Sequence, residues 1–560
     1  MTLAAIAFTL PLVVLLASAR SRADERRSSR WSIDDGLALL APLGLFVLLD
    51  HDALGSWWTH DDPCLLRSLV ENGVWAHFTE PQTWRQVSAT LLMPWIMASF
   101  GFDRASFGLE ASAFYAHQLL SFAVLFLAAY VLLRRFLTSP FAGLALSIVA
   151  VSLPTFAVAQ QLMNRTYVEG LAFALVSVAL YHRSLVRRRA AWAVAGAAAY
   201  ALAATAKEVF VPLVVTLPFL PAAGIHLRLR HWAPYGLVAA AYTAWRIVML
   251  AEGHALSTYG VFADPSPSLA QVAAAFGLGG SWLPPAAAVV CVASFLVVGL
   301  ASPRAWPFLI AVGAAAIVPL ATLGSMLAPR HALVPSFVCS VLIAAALQRL
   351  STLSPRMICS SLTAAFALLV VAAVWSGTTD AELRRSHARS VRHYHAEGSF
   401  VLSDAPGALL MTTLNDVSYL SCMRDLRSTG AAVAGPGFCG DACFCARSFP
   451  ENDRWIYDGE RVVRGAPPAR ADCASARPVD ADFRYDSQNG TIHWRAGPYA
   501  DGRYEALLVF DRHLPAVSVP IPIPRRGDIA LWLSEPLGVV VRYEGPGGWL
   551  AYSPLHELAP

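Results

Sequence analysis

Charged residues are scarce in this 560-residue chain, making up 14% of the sequence while hydrophobic residues make up 56%. Soluble domains average about 25% charged residues. A soluble core cannot bury that much apolar surface, whereas a lipid bilayer can take it up, so the composition excludes an ordinary soluble protein. The net charge of +4 does not indicate nucleic-acid binding. Its positive charges lie in short clusters between apolar runs, as in the cytoplasmic loops of membrane proteins.

About twelve apolar runs predict a polytopic α-helical membrane domain over residues 1–376. The predicted runs are 3–19, 34–50, 112–133, 140–159, 166–182, 190–206, 208–223, 232–250, 286–301, 306–323, 331–349 and 357–375. Every second connection between them is basic, so the positive-inside rule assigns these connections to the cytoplasm and leaves the N-terminus and residues 377–560 outside. The arginines concerned are Arg20, Arg22, Arg26, Arg27, Arg30, Arg134, Arg135, Arg183, Arg187, Arg188, Arg189, Arg228, Arg230, Arg304, Arg349 and Arg356.

Three segments affect this topology. An Ala-Ser-Ala motif at 17–19 resembles a signal-peptidase site, but the charges follow the apolar run instead of preceding it, so we interpret the run as a span. Residues 87–102 are predicted to form an interfacial or re-entrant helix at the outer face. If they spanned the membrane instead, the inside or outside assignment of every later loop would be reversed. Residues 190–223 would make a helix of about 51 Å at ~1.5 Å per residue, so the chain must fold back near Lys207-Glu208.

Short alternating segments punctuated by Gly and Pro predict a mainly β extracytoplasmic domain over residues 377–560. The run Phe483–Tyr499 contains Asn489-Gly490, which is typical of a hairpin turn. Further predicted strands are Glu505–Phe510, Val517–Ile523, Ile529–Leu533 and Val539–Tyr543.

The chain has nine cysteines. Cys291, Cys339 and Cys359 lie in apolar runs and are predicted to pack between helices. The polar C-terminal part holds five more, namely Cys422, Cys439, Cys443, Cys445 and Cys473. Zinc binding and disulfides both remain open for these five, although an oxidising outer compartment favours disulfides and the spacing lacks the paired CxxC of common zinc sites. Cys64, in the first outer loop, is a candidate sixth partner.

Two acidic residues, Asp61 and Asp62, follow His60 in the predicted first outer loop. Adjacent carboxylates beside a membrane are costly unless they are solvated or functional. One interpretation is a hydrated acidic loop. The other is a general base that takes the proton from an acceptor hydroxyl during sugar transfer.

The only lysine of the chain, Lys207, is predicted at the same outer face, where its compact cation can pair with a lipid phosphate. Glu208 either holds Lys207 in place or simply neutralises it. Other polar residues predicted at this face are Arg165, Glu169, Arg246, Arg330 and His331. Each arginine alone is typical of an interfacial anchor, but three of them on the face normally poor in positive charge suit an anionic ligand. His60 and His331 are either tuning groups or surface donors.

Read in order, several segments resemble the GT-C glycosyltransferases, in particular the branch containing protein O-mannosyltransferases and their tetratricopeptide-bearing relatives. The resemblance extends over residues 34–350. The first matching motif is Asp61-Asp62. The later matching segments are ENGVWAHFTEPQTWRQVSATLLMPW, AHQLLSFAVLFLAAYVLL, NRTYVEGLAFALVSVALY, AATAKEVFVPLVVTLPFL, YTAWRIVMLAEG and APRHALVPSFVCSVLIAAAL. Many relatives have Asp-Glu where this chain has Asp61-Asp62, which affects the role of the second acid.

The resemblance implies an inverting glycosyltransferase of a bacterial inner membrane, with a polyprenyl-phosphate-linked sugar as donor and a glycan, lipid or protein hydroxyl as acceptor. Asp61 would be the base and Asp62 would orient the acceptor or a cation. Lys207 and Arg330, with Arg165 or Arg246, would bind the donor phosphate. A divalent cation is compatible with this site but not required. Two other hypotheses stay open: a transporter of lipid-linked glycans, and a non-catalytic envelope assembly factor.

Overall fold

The computed structural model separates the chain into two compact units. The first contains Met1–Ser56, Leu91–Val248 and Phe262–Arg384, and the second Trp57–Thr90, Met249–Val261 and Arg385–Pro560. The division at Arg384 falls near the predicted domain boundary at 376, but the second unit also includes the first outer loop. The residues described are 33–88, 90–250, 283–321, 327–351, 383–403, 405, 407–414, 416, 418–427, 436–449, 451–465, 479–488, 490–511, 516–531, 533 and 536–559.

Several sequence predictions fall outside these residues. They are the spans at 3–19 and 357–375, the motif at 17–19, the basic cluster at 20–30, Arg356, and the cysteines Cys359 and Cys473.

The first unit is helical because its apolar runs form helices. These are Ile33–Asp50, Trp95–Phe107, Ala111–Leu133, Ser139–Ala150, Leu153–Ala159, Arg165–Arg187, Ala190–Ala206, Leu213–Thr216, Ile225–Met249, Leu283–Ala301, Trp306–Ala321 and Leu333–Ser351. Their core contains aromatic side chains such as Phe46, Phe122 and Phe126. The ring of Phe210 packs so close to Gly170 that a Cβ there would lie 2.3 Å from it, which seats the segment after Lys207 against the Arg165–Arg187 helix.

Four helical stretches of the described residues are long and apolar enough to cross a membrane: Ile33–Gly55, Ala111–Leu133, Pro303–Leu320 and Pro329–Leu350. The pair Ser139–Ala150 and Leu153–Ala159, bent by 61°, makes a fifth if it is one broken span. The chain is thus a membrane protein, but the predicted count of twelve spans is not reached in this part of it. One reason is helix length: Ala190–Ala206 has 17 residues, and the predicted run 208–223 contains only the four-residue α-helix Leu213–Thr216, whereas a span needs about 20 residues.

The predicted break at Lys207 is confirmed. The preceding helix ends at Ala206, Lys207 is extended with φ −160° and ψ 139°, and a 3₁₀ turn follows over Glu208–Phe210. Pro212 and Pro218 keep the next residues in short turns, because proline removes a backbone donor and clashes with the preceding turn.

The second unit contains the helices Asp62–Thr79, Pro81–Val87, Tyr419–Arg427 and Ala442–Ser448, all but the first two residues of the helix 383–401, and thirteen strands in the described residues. The strands are β1 (Ala408–Met411), β2 (Gly437–Cys439), β3 (Asp453–Tyr457), β4 (Val462–Arg464), β5 (Asp480–Asp486), β6 (Thr491–Gly497), β7 (Arg503–Asp511), β8 (Ala516–Val517), β9 (Ile521–Ile523), β10 (Arg526–Ala530), β11 (Leu537–Glu544), β12 (Leu550–Tyr552) and β13 (His556–Leu558).

Most strands belong to one sheet ordered β12-β11-β7-β8-β2-β1-β3-β4, while β10, β6 and β5 form a second. The predicted hairpin over 483–499 is confirmed, since β5 pairs antiparallel with β6 from Asp480↔Gly497 to Asp486↔Thr491. The sequence did not predict β1, β2 and β3, which are mutually parallel, with β1 between the other two. This part of the mainly β domain is therefore an α/β arrangement.

Candidate functional site

The two acidic residues of the predicted first outer loop have different environments. Asp61 is exposed, whereas Asp62 is fully buried at the start of the Asp62–Thr79 helix. The backbone N–H of Thr59 donates to Asp62 Oδ2 at 3.0 Å, so Asp62 closes the turn that leads into the helix. Asp61 is therefore open to solvent, whereas Asp62 supports the turn.

His60 lies inside this turn with a positive φ of 49°, a backbone conformation that is uncommon outside glycine. Its Nδ1 is 3.1 Å from the hydroxyl of Tyr394 and 3.4 Å from Asp416 Oδ2. Burial alone would lower the pKa of His60, but the hydrogen bond and charge of Asp416, together with the charges of Asp62 and Asp61, raise it above 6.5. The site in this unit is thus three carboxylates around one imidazole.

A disulfide joins this turn to the rest of the second unit. Cys64 is bonded to Cys422, 358 residues further along the chain, with their Cα atoms 4.9 Å apart. Beside it, Arg67 Nη1 is 2.7 Å from Asp425 Oδ2. Cys439 and Cys445 form a second disulfide. The helix that starts at Asp62 is thereby fixed to the Tyr419–Arg427 helix.

We expect Cys64→Ser to lower the free energy of unfolding of the protein by about 2–4 kcal/mol, because a long-range disulfide restricts the unfolded chain. The measurement is thermal unfolding in detergent, with Cys291→Ala as control since Cys291 is a free cysteine. The double variant Cys64→Ser/Cys422→Ser should be no less stable than either single variant, as one bond is lost in each. Single variants as stable as the wild type would contradict the pairing.

Lys207 belongs to the first unit and is almost fully buried, with 6% of its surface exposed. Its ammonium Nζ lies 3.2 Å from Met93 Sδ and 5.3 Å from the centre of the Tyr167 ring. Among the residues that the structure describes, no oxygen atom accepts a hydrogen bond from this ammonium. A thioether is a weak acceptor, so the cation has little compensation within the protein.

Arg330 and His331 are the other sequence-predicted residues near Lys207. The His331 ring lies 6.0 Å from that of Tyr167, the same ring that Lys207 contacts, and the charges of Arg330 and Lys207 both act on it. The backbone N–H of Ala328 donates to His331 Nδ1 at 2.9 Å. When the imidazole is neutral, Nε2 therefore carries the proton and can donate it.

Glu208 does not pair with Lys207, contrary to one of the two predicted roles. Its Oε1 lies 2.7 Å from Arg246 Nη1, and it also accepts from the backbone N–H of Leu92 at 2.5 Å. Glu208 thereby pairs with Arg246, one of the three arginines that were predicted to bind phosphate. Glu208 is therefore not the partner of Lys207.

Arg165 and Glu169 lie in a buried polar network that the sequence did not predict. The Arg165 guanidinium is fully buried and pairs with Asp103. Glu169 accepts from Trp95 Nε1 at 2.5 Å and from Ser99 Oγ at 3.0 Å. His117 lies between the two acids, with Nδ1 2.6 Å from Asp103 and Nε2 3.5 Å from Glu169. The charge of Arg165 is therefore compensated within the network, which links three helices.

An apolar cavity of about 280 Å³ opens within the first unit, and every described lining residue except Thr216 is apolar. Val209 and Phe210, which line it, follow directly after Lys207-Glu208. Val334 and Phe337 line it from the helix that follows Arg330-His331. The two segments that carry the cations thus also supply walls of the cavity.

Within the described parts of the chain, no group of three or more His, Cys, Asp or Glu side chains could hold a metal ion. The divalent cation considered from the sequence therefore has no site among these residues, and we assign no step of the reaction to a metal.

No protein-family model and no curated protein matches the chain. Among solved structures, it is similar to the oligosaccharyltransferase of Archaeoglobus fulgidus, crystallised with a tethered acceptor peptide containing the NVT sequon. The identity is 14% and the TM-score 0.41, covering 72% of this chain and 60% of that one. It is also similar to ArnT from Cupriavidus metallidurans bound to undecaprenyl phosphate. Here the identity is 15% and the TM-score 0.40, covering 74% of this chain and 88% of that one. Both are GT-C glycosyltransferases, the class that the sequence resembles, but similarity at this level is too low to assign an activity to this chain.

Proposed function

We propose that this protein transfers a sugar from a polyprenyl-phosphate donor to a hydroxyl acceptor outside the cytoplasm of a bacterial cell. Lys207 and Arg330 bind the donor phosphate, His331 donates a hydrogen bond, and the isoprenoid chain occupies the apolar cavity. Asp61 removes the proton from the acceptor hydroxyl, which attacks the anomeric carbon with inversion while the lipid phosphate leaves.

The buried ammonium of Lys207 is the observation that supports this proposal most strongly. A charged group that is removed from water without an oxygen acceptor is costly, and in a membrane protein it marks a ligand or ion site by default. A phosphate is the complementary ligand, because it supplies several charged acceptor oxygens. Residues that closely follow Lys207 and Arg330 in the sequence line the apolar cavity. This favours a ligand in which the phosphate is attached to a long hydrocarbon chain.

The test is mass spectrometry of lipids that co-purify with the wild-type protein, with Lys207→Met and with the control Arg349→Ala. Arg349 is an exposed cation of the same unit. We expect a polyprenyl phosphate, free or carrying a hexose or pentose, in the wild type and the control, and its loss from Lys207→Met. Ordinary phospholipids alone in all three samples would contradict the donor site.

A further inference from the structure

Asp416 follows strand β1 at a point of the sheet where ligands commonly bind in other α/β proteins. Strand β1 lies between the parallel strands β2 and β3, so the chain leaves β1 to one side and returns on the other. In α/β sheets, ligands bind outside the carboxyl ends of strands at such a reversal of strand order. Asp416 lies in the segment that follows β1 and precedes the Tyr419–Arg427 helix, at this edge of the sheet.

The contacts of Asp416 lead directly to the turn that carries Asp61. The Tyr394 hydroxyl donates to Asp416 Oδ2 at 3.2 Å, and the same oxygen lies 3.4 Å from His60 Nδ1. The Asp416 side chain is 12% exposed and that of His60 43%. Asp416 is therefore the more buried of the two side chains.

The contact with Asp416 helps to maintain an unusual backbone conformation at His60. The positive φ of His60 is a strained conformation for a residue with a Cβ atom, and such strain persists only when surrounding contacts enforce it. Two contacts do so: Asp62 closes the turn through Thr59, and Tyr394 with Asp416 hold the imidazole. Asp61 is the next residue after His60, so the direction of its carboxylate depends on the same turn.

We propose that Asp416 is a positioning residue for Asp61 and acts through the ring of His60. This proposal rests on the proposed function, in which Asp61 is the base. The C-terminal domain is then a part of the reaction site and not only a binding module. Asp416 holds the His60 ring in place. The ring then stabilises the backbone turn and places a positive charge beside Asp61.

The charges around His60 agree with this role. Asp61, Asp62 and Asp416 all act on His60 and raise its pKa, while burial opposes them, and the Tyr394 hydroxyl is the other titratable group in contact with the ring. The imidazolium therefore persists to higher pH than in a free histidine. Removing the charge of Asp416 lowers the pKa of His60, so activity that needs the imidazolium declines at a lower pH.

The test compares Asp416→Asn, His60→Gln and the double variant. We expect each single variant to lower kcat about 10-fold, which is less than the ~10²–10⁴-fold contribution of a general base itself, with the donor KM unchanged. The alkaline limb of the kcat profile should move to lower pH in Asp416→Asn. The double variant should be no worse than His60→Gln, and Asp416→Glu should recover part of the loss. Asp453→Asn, which removes an exposed ion pair with Arg464 in the same unit, is the control and should keep wild-type kcat and pH profile.

The outcomes separate this proposal from the proposed function. An Asp416→Asn protein with wild-type kcat and pH profile would overturn the role of Asp416, even if Asp61→Asn is inactive. Additive losses in the double variant would also overturn it, since Asp416 would then act independently of His60. Full activity of Asp61→Asn would instead contradict the base itself. Thiol counting on each variant checks that the Cys64–Cys422 bond is intact.

Discussion

Lys207→Met is expected to stabilise the protein while nearly abolishing sugar transfer. The ammonium is 6% exposed among a thioether and an aromatic ring, so an apolar side chain of similar length fits the site without the cost of a buried charge. Replacing buried charges with apolar residues commonly gains about 1–4 kcal/mol. Losing a charged partner of a bound phosphate costs about 2–5 kcal/mol, which corresponds to at least a ~30-fold loss of donor affinity. Thermal unfolding of lipid-free protein and donor-dependent turnover measure the two effects.

Arg246→Met is the matched control for this prediction. Arg246 is also largely buried, but Glu208 lies 2.7 Å from it. Removing one partner of a buried pair leaves the other charge uncompensated and costs about 3–5 kcal/mol. Lys207→Met and Arg246→Met should therefore change the free energy of unfolding in opposite directions. If Lys207→Met destabilises the protein as Arg246→Met does, Lys207 has a structural role and the donor site is wrong.

Asp61→Asn is expected to lower kcat by about 10²–10⁴-fold, the usual contribution of a general base. Asparagine keeps the size of the side chain but cannot accept the proton of the acceptor hydroxyl. Because Asp61 is exposed, the substitution should leave expression, thermal unfolding and lipid co-purification unchanged. The measurement is single-turnover transfer with a saturating lipid donor.

Glu71→Gln is the control for Asp61→Asn, since Glu71 is an exposed acid on the helix that begins beside Asp61. It should retain full activity. An Asp61→Asn protein that still supports envelope assembly in cells would favour the non-catalytic assembly factor, because that hypothesis requires the outer domain only as a binding surface. Intermediate activity of Asp61→Glu would further support a base whose position matters.

Features that depend on neighbouring residues were predicted from the sequence. The Asn-Gly hairpin and the break at Lys207 both follow from local turn chemistry and helix length. The pairing of Glu208 with Arg246 could not be predicted in this way, although Glu208 is next to Lys207 in the sequence. At Lys207 the backbone is extended, and successive side chains of an extended chain point to opposite sides. Glu208 therefore turns away from Lys207 and towards Arg246.

Long-range features of the site could not be predicted. Asp416 reaches His60 across more than 350 residues of sequence, and no local pattern identifies it as a partner. Strands β1, β2 and β3 have between three and five residues, too few to show an alternating pattern. The network of Asp103 and His117 was missed because each is a single polar residue among apolar neighbours.

The Cys64–Cys422 bond sets an order of events during synthesis of the chain. Cys422 is made 358 residues after Cys64, which at about 5–20 residues per second takes roughly 18–70 s. During that interval the helices of the first unit that follow Cys64 in the sequence are synthesised, while the turn carrying Asp61 still lacks its covalent tether. The turn that carries the proposed base therefore acquires its covalent tether only after these helices have been made, and a chain truncated before Cys422 cannot form the bond.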